Sequence, residues 1–291
     1  MKELQLRAYG KINLGLDVVR KREDGYHELR MIMQTVGLFD GLTMRVIPKD
    51  EIRLTTNLSF LPTNKNNLIY KAIAMLKEEF QIKEGVEVKL DKRIPVAAGM
   101  AGGSSNAAAA LVGMNRLFQL GLSKKQLMEY GVKLGADVPY CIMRGTALSE
   151  GIGEILTPLP PMPVCYILLA KPGISVSTKY VYQNLKVDEL EHHPDIDGIV
   201  SAIKSGDLKG ITDRLENVLE TVTVKDYPII EEVKQYMVQQ GAMNALMSGS
   251  GPTIFGIFKE RAVAKKALEG LRRFTFIKQA YVVEPYNIRK K

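Results

Sequence analysis

Apolar and polar residues alternate one by one from Lys11 to Val18, where Ile12, Leu14, Leu16 and Val18 interleave with Lys11, Asn13, Gly15 and Asp17. A period of two predicts a half-buried strand, set within extended structure over residues 4–19. Lys11 and Asn13 then share one face, about 7 Å apart. A turn-forming run at 20–25 follows and delivers Tyr26 and His27 into the next segment. The period then changes: Leu68, Ala72, Met75 and Leu76 form a helical stripe over 67–80, and a strand follows at 86–90. Ser123 with Gln126 forms a capping-box signal for a helix that Gly135 should end, just before Asp137 and Val138-Pro139. Pro158, Pro160, Pro161 and Pro163 then interrupt any regular element, so a domain boundary is expected there, giving 1–157 and 158–291. Beyond it the pattern predicts strands near 164–170, 243–248, 253–258 and 276–283, with helices near 196–218, 228–240 and 260–273. Helices and strands joined by hairpin-like turns indicate an α+β sandwich with a mostly antiparallel sheet.

One stretch fits neither period at first. Residues 94–115 carry no charge between Arg93 and Arg116, yet Pro95, several glycines, two serines and two asparagines make them a poor membrane span. They resolve as a glycine-rich loop, Pro95 to Asn106, running through four alanines into a helix. Glycines let a backbone approach a bulky ligand, and free N–H groups of a first helical turn attract anions, so a polyphosphate suits this loop. Ser104 and Ser105 can add hydroxyl donors, or one of them can ligate a magnesium ion. The loop has neither the closing Gly-Lys-Ser/Thr of a Walker A sequence nor a dinucleotide fingerprint, and a tight turn with a serine N-cap is the plainer alternative.

Composition narrows the classes. Of 291 residues, 46% are hydrophobic and 25% charged, which excludes a disordered or fibrous chain. Forty Lys and Arg against 32 Asp and Glu leave +8, which points to an anionic partner: nucleic acid, a membrane surface or a phosphorylated small molecule. Cys141 and Cys165 lack neighbours at metal-ligand spacing, and the first residues lack the apolar stretch of a secretory signal, so a reduced, cytoplasmic protein is expected. No metal-ligating set stands out, and His192 and His193 read as solvated.

Each remaining candidate has two readings. Asp137 is either an N-cap or a base that orients and deprotonates an attacking hydroxyl. Lys11 is either a solvated lysine or a cation that polarises Asp137 and stabilises a transferring phosphoryl group. Tyr26 and His27 either pack or clamp a base. Ser248-Gly249-Ser250-Gly251-Pro252-Thr253 is either a hairpin turn or a backbone nest facing phosphate.

Together these segments resemble the galactokinase, homoserine, mevalonate and phosphomevalonate (GHMP) kinase superfamily over nearly the whole chain. Its three marks are residues 8–17 (Ala-Tyr-Gly-Lys-Ile-Asn-Leu-Gly-Leu-Asp), 95–109 and 247–255 (Met-Ser-Gly-Ser-Gly-Pro-Thr-Ile-Phe). Within it, Arg22-Glu-Asp-Gly-Tyr-His27, Asn66-Asn-Leu-Ile-Tyr-Lys-Ala72, Leu134-Gly-Ala-Asp-Val-Pro139 and Gly145-Thr-Ala-Leu-Ser-Glu-Gly-Ile-Gly153 are similar to the branch acting on 4-diphosphocytidyl-2-C-methyl-D-erythritol. The resemblance implies a two-domain α+β GHMP kinase fold: an N-terminal ribosomal-protein-S5-domain-2-like domain, a C-terminal ferredoxin-like α/β sandwich, and the active site in the cleft between them. It implies ATP-dependent phosphorylation of the 2-hydroxyl of that CDP-linked alcohol, with Mg2+, in the non-mevalonate isoprenoid route. Asp137 would be the base and Lys11 its charge partner. Tyr26 and His27 would hold the cytosine, Tyr182 would stack on its other face, and Asn13 would lie near the erythritol. Asn67 and Leu68 would lie by the adenine, while Pro95, Gly99, Gly102, Gly103, Ser104, Ser105 and Asn106 would cradle the phosphates. Ala97, Ala98 and Ala101 depart from a loop that is richer in glycine in many members. The expected partners are therefore small molecules, with no nucleic acid or membrane, and the protein is expected to be a monomer or homodimer. The alternatives are the same fold acting on homoserine, mevalonate or a similar alcohol, or a non-catalytic RNA-binding module. An aromatic content of 7% and the absence of Trp disfavour the last. Lys124-Lys125, Lys265-Lys266, Arg272-Arg273 and Arg289-Lys290-Lys291 read as solvated surface.

Overall fold

A computed structural model describes residues 3–287; the Arg289-Lys290-Lys291 cluster lies outside them. The chain begins β1 (Glu3–Lys21), β2 (His27–Ile47), β3 (Ile52–Thr56), α1 (Leu68–Glu79), β4 (Gly85–Asp91), α2 (Gly102–Leu117), α3 (Lys124–Val132), α4 (Asp137–Met143), β5 (Thr146–Gly151) and β6 (Ile155–Pro158). It continues β7 (Tyr166–Pro172), α5 (Thr178–Asn184), α6 (Ile196–Ser205), α7 (Leu208–Thr212), β8 (Glu216–Asn217), α8 (Glu220–Asp226), α9 (Ile229–Gln239), β9 (Asn244–Met247), β10 (Ile254–Phe258), α10 (Arg261–Leu271) and β11 (Ile277–Val283). Contacts group these into two units that interleave along the chain. One comprises the segment ending at Gly10 with Leu38–Val96 and Ala101–Met143; the other comprises Lys11–Gly37, Ala97–Met100 and the chain from Arg144 onward. This grouping differs from a single cut at 157/158, because β1 and β2 are long enough to serve both units.

In the first unit, β4 pairs antiparallel with the later part of β2 and parallel with β3. Helices α1 and α2 pack together, as do α2 with α4 and α3 with α4. The alanine run of α2, Ala107 to Ala110, is fully buried, and Gly113 meets the strand so closely that a Cβ there would stand 2.2 Å from Met44 Sδ. Small residues thus let α2 lie on the sheet. Asn67 caps α1 through Ile69 N, and the Ser123–Gln126 capping box predicted for α3 is present.

In the second unit, β2 pairs antiparallel with β5, and β5 with the edge strand β6. Gly15 and Leu16 of β1 pair in parallel with Glu216 and Asn217 of β8. A second, antiparallel sheet runs β11-β7-β10-β9, contacted by α9 and α10, with Phe255, Phe258, Ile167, Met237 and Leu271 in its core.

Several expectations are corrected. β1 is not half-buried from Lys11 to Val18: all eight residues are buried, because Ile196 and Ile199 crowd Gly15 on one face and the glycine loop meets Lys11. The helix expected over 196–218 is broken at Gly206, whose φ of 71° ends α6, and a short α7 and β8 follow. Regular structure reaches Pro158 after all, since an edge strand tolerates a missing N–H. The long strand β2 was not foreseen: its run of Met, Gln, Thr, Gly and Asp obscures the alternation.

Candidate active site

Within the second unit, three distant stretches of sequence meet. Lys11, 5% exposed, donates from Nζ to Asn13 Oδ1 at 2.7 Å, so the same-face spacing read from the sequence becomes a hydrogen bond. Asn13 in turn donates to Met31 Sδ at 3.2 Å, and Lys11 N donates to Met100 O at 3.1 Å. The loop tip reverses through Ala97 (φ 50°) and Gly99 (φ 71°). Gly99 is required twice over: its φ is left-handed, and a Cβ there would lie 1.9 Å from Ser248 O. Ser248 Oγ donates to Gly99 O at 3.0 Å, and a Cβ at Gly249 would lie 3.6 Å from Asn13 Oδ1. Asn217 Nδ2 donates to Met247 O (2.9 Å) and Gly249 O (2.8 Å), while Glu220 accepts from Met247 N at 2.7 Å. The Ser248 to Gly251 loop is therefore held from behind. Ser250 and Thr178 share a hydroxyl hydrogen bond of 2.8 Å.

In the same unit, the rings of His27 and Tyr182 touch, with centroids 5.2 Å apart at 35°. A base sandwiched between two rings needs roughly 7 Å between them, twice a carbon contact distance, so these two form a corner rather than a slot. Tyr26 is 59% exposed and presents an open face. Burial, reinforced by the charge of Lys21, holds the His27 imidazole below its ordinary value, so it is neutral at pH 7. His192 and His193 are not simply solvated: they bond Glu216 (2.7 Å) and Asp17 (2.8 Å).

The first unit carries the helix end. Ala101, with φ 52°, precedes α2 without a side-chain cap, so the first-turn N–H groups of Gly102, Gly103 and Ser104 face outward from the helix. Ser105 N already bonds Ala101 O (2.8 Å), and Ser105 Oγ donates to Tyr9 O (2.7 Å). Ser104 is half-buried, and its hydroxyl has no partner among the described residues of its unit. Asn106 is buried and donates to Asp40 Oδ2 at 2.8 Å. Pro95 is buried at the loop entry; Leu68 flanks Gly103, 3.6 Å from where its Cβ would be. The Asn67 side chain is engaged at both ends, with Ile69 N and Pro62 O. Asp137 is the first residue of α4, half-buried, its carboxylate held by no described residue of its unit, so it acts as no cap.

Residues 67–145 match the family described as "GHMP kinases N terminal domain", and residues 199–277 match "GHMP kinases C terminal". A 4-diphosphocytidyl-2-C-methyl-D-erythritol kinase of Lachnospira eligens is 55% identical over 286 residues, covering 98% of this chain and 99% of that protein. The chain belongs to the GHMP kinases. Among solved structures, one described as 4-(cytidine 5'-diphospho)-2C-methyl-D-erythritol kinase superposes on this GHMP kinase with a TM-score of 0.84 at 30% identity, over 98% of this chain and 100% of that one. Homoserine kinase of Cytophaga hutchinsonii superposes with a TM-score of 0.79 at 20% identity, over 99% and 95% of the two chains, and shows the shared fold. Kinase membership implies ATP as co-substrate and a small-molecule acceptor. The α+β GHMP kinase fold expected from the sequence is the fold found.

The structure of this GHMP kinase brings Lys11, Asn13 and Gly99 together with Ser248 and Gly249, and it sets Gly103 beside Leu68 and Gly102 beside Lys92 and Ile94. Sequence reasoning missed Asp40, Lys92, Asn217 and Glu220, which brace the two loops. Asp40 left one signal: a carboxylate interrupting the apolar run Leu38-Phe39-Asp40-Gly41-Leu42. Lys92 left none, because Asp91-Lys92-Arg93 reads as surface charge. No helix among the described residues is long and apolar enough to cross a membrane.

Proposed function

We infer that this kinase transfers the γ-phosphoryl group of ATP to the 2-hydroxyl of 4-diphosphocytidyl-2-C-methyl-D-erythritol, giving the 2-phosphate and ADP. The reaction is a cytoplasmic step of the non-mevalonate isoprenoid route. The observation that carries this is the near-full-length similarity to proteins named for that reaction. The convergence of Lys11, Asn13, Gly99 and Ser248 supplies the physical basis.

The uncapped first turn of α2, with Gly102, Gly103 and Ser104, receives the ATP phosphates on open N–H groups, and Gly99 and Pro95 shape the loop. Asn67 and Leu68 line the adenine; because the Asn67 side chain is occupied, its backbone and the Leu68 side chain make that contact. Ser105 and Asn106 hold the loop through Tyr9 O and Asp40. Among the described residues no three or more His, Cys, Asp or Glu are grouped as a metal site. That fits Mg2+, which takes most of its oxygens from phosphate and water, with the Ser104 hydroxyl as the ligand this chain offers. When bound, the ion neutralises phosphate charge. Asp137 accepts the proton of the attacking hydroxyl, and Lys11 stabilises charge on the transferring group; Asn13 fixes the Lys11 ammonium and lies by the erythritol. Tyr26 and Tyr182 take the faces of the cytosine, and neutral His27, with one donor and one acceptor nitrogen, meets its edge.

An ATP-consumption assay against a panel of alcohols, with and without a cytidine diphosphate group, tests the assignment. Turnover is expected only with the cytidylated methylerythritol; comparable turnover with homoserine or mevalonate would replace this acceptor by another. The same purified enzyme, sized in solution, should run as a monomer or homodimer.

A further inference from the structure

Asp40 and Lys92 form the most completely buried ion pair of the first unit, and neither belongs to a sequence motif of the site. Asp40 is 0% exposed and accepts four hydrogen bonds: Lys92 Nζ (2.6 Å) and Asn106 Nδ2 (2.8 Å) on Oδ2, Arg93 N and Ile94 N (2.7 Å each) on Oδ1. One carboxylate thus ties β2 to the backbone that enters the glycine loop and to the helix that leaves it. Lys92 donates also to Ile94 O at 3.0 Å, which accounts for two of its three ammonium hydrogens. Its Nζ would stand 2.8 Å from a Cβ at Gly102, the first residue of α2, nearer than any other atom. A side chain at 102 would have to displace the ammonium.

A buried cation beside the positive end of a helix is unfavourable in an empty protein, and burial pushes the Lys92 ammonium below its ordinary range although Asp40 pulls the other way. An anion on the loop reverses that balance. Asp40 satisfies the buried N–H groups of Arg93 and Ile94 whether or not a ligand is present, whereas the Lys92 charge turned toward Gly102 gains most when phosphate is bound. We propose that Asp40 and Lys92 are positioning residues of the nucleotide site: Asp40 fixes the entry and exit of the loop, and Lys92 places a positive charge behind Gly102 that favours the bound polyphosphate. This rests on the reading of the glycine-rich loop as the ATP site.

The test titrates ADP into three variants, with thermal unfolding measured alongside and KM determined separately for ATP and for the alcohol. Lys92→Gln keeps donors for Asp40 and Ile94 O but removes the charge. The double variant Asp40→Asn with Lys92→Met removes both charges without leaving one buried alone. Gly103→Val obstructs the loop itself, where only Leu68 lies nearby. Expected are folded Lys92 variants with ADP affinity reduced about tenfold, a matching rise in KM for ATP, and KM for the alcohol within twofold of the parent. ADP affinity within twofold in folded Lys92→Gln, or equal losses for both substrates, overturns the proposal. If the double variant does not fold, Lys92→Gln decides alone. Should Gly103→Val bind ADP normally, the loop is not the nucleotide site and that reading falls first. Should it abolish binding while the Lys92 variants bind normally, only the role of the pair falls.

Discussion

Asp137 stands first in α4, half-buried, and no described residue of its unit holds its carboxylate. Asp137→Asn should lower kcat by roughly 100- to 10,000-fold, the range for a lost general base, with both KM values within a few fold and an unchanged melting temperature. Near-parental kcat would remove the base assignment. The pH profile isolates His27. Burial holds its pKa below the ordinary value, so the ring takes up its proton at lower pH than a free imidazole does. Protonation turns the accepting nitrogen into a donor, which a cytosine amino group cannot meet. KM for the cytidylated alcohol should therefore rise as the pH falls into the acid range where this ring is protonated, and His27→Ala should abolish that rise while raising KM throughout. A rise that persists in His27→Ala would assign the titration to another group. Cys165, by contrast, is silent chemistry: burial, with Glu284 adding to it, pushes its thiol up to about 12.

Elements here are defined as much by backbone contact as by side chains. Gly99→Ala forces a methyl onto Ser248 O and a left-handed backbone onto alanine; strain and overpacking together should cost about 2–5 kcal/mol, read as a lower melting temperature together with lost turnover. A fully active, equally stable Gly99→Ala would mean the two loops do not rely on this contact. Ser123→Ala removes the capping box of α3, far from the loops in sequence, and should cost about 1 kcal/mol in denaturant unfolding with activity intact. The two variants mark what was legible. The capping box and the glycine loop are local patterns, carried by residues three or four apart. Lys11 and Asn13 were legible as a pair because a strand fixes their spacing. What covers Lys11, which residues brace Ser248 to Gly251, and that Asp40 serves Asn106 across 66 positions are set by tertiary pairing, which no local period encodes. The left-handed Ala97 and Ala101 were hidden for a related reason: alanine gives no sign of the strain that its neighbours impose.

At the scale of the whole molecule, neither unit is a continuous stretch of chain. The second requires Lys11–Gly37 as well as everything from Arg144 onward, and the first requires segments on both sides of that early excursion. Expressed separately, residues 1–157 and 158–291 should each show poorly dispersed NMR spectra, because the cut divides the second unit: 1–157 loses β8, and 158–291 keeps the sheet β11-β7-β10-β9 but loses Lys11–Gly37. Two well-dispersed fragment spectra would show that the units complete themselves without the shared strands. The interleaving also sets a clock. β8, which pairs with Gly15 and Leu16, is made about 200 residues after them, roughly 10–40 s at ordinary synthesis rates. For that interval β1 has β2 on one side, while the edge that will receive β8 stays open. That open edge, and the cover that Ile196 and Ile199 give Gly15, must therefore wait for the later part of the chain.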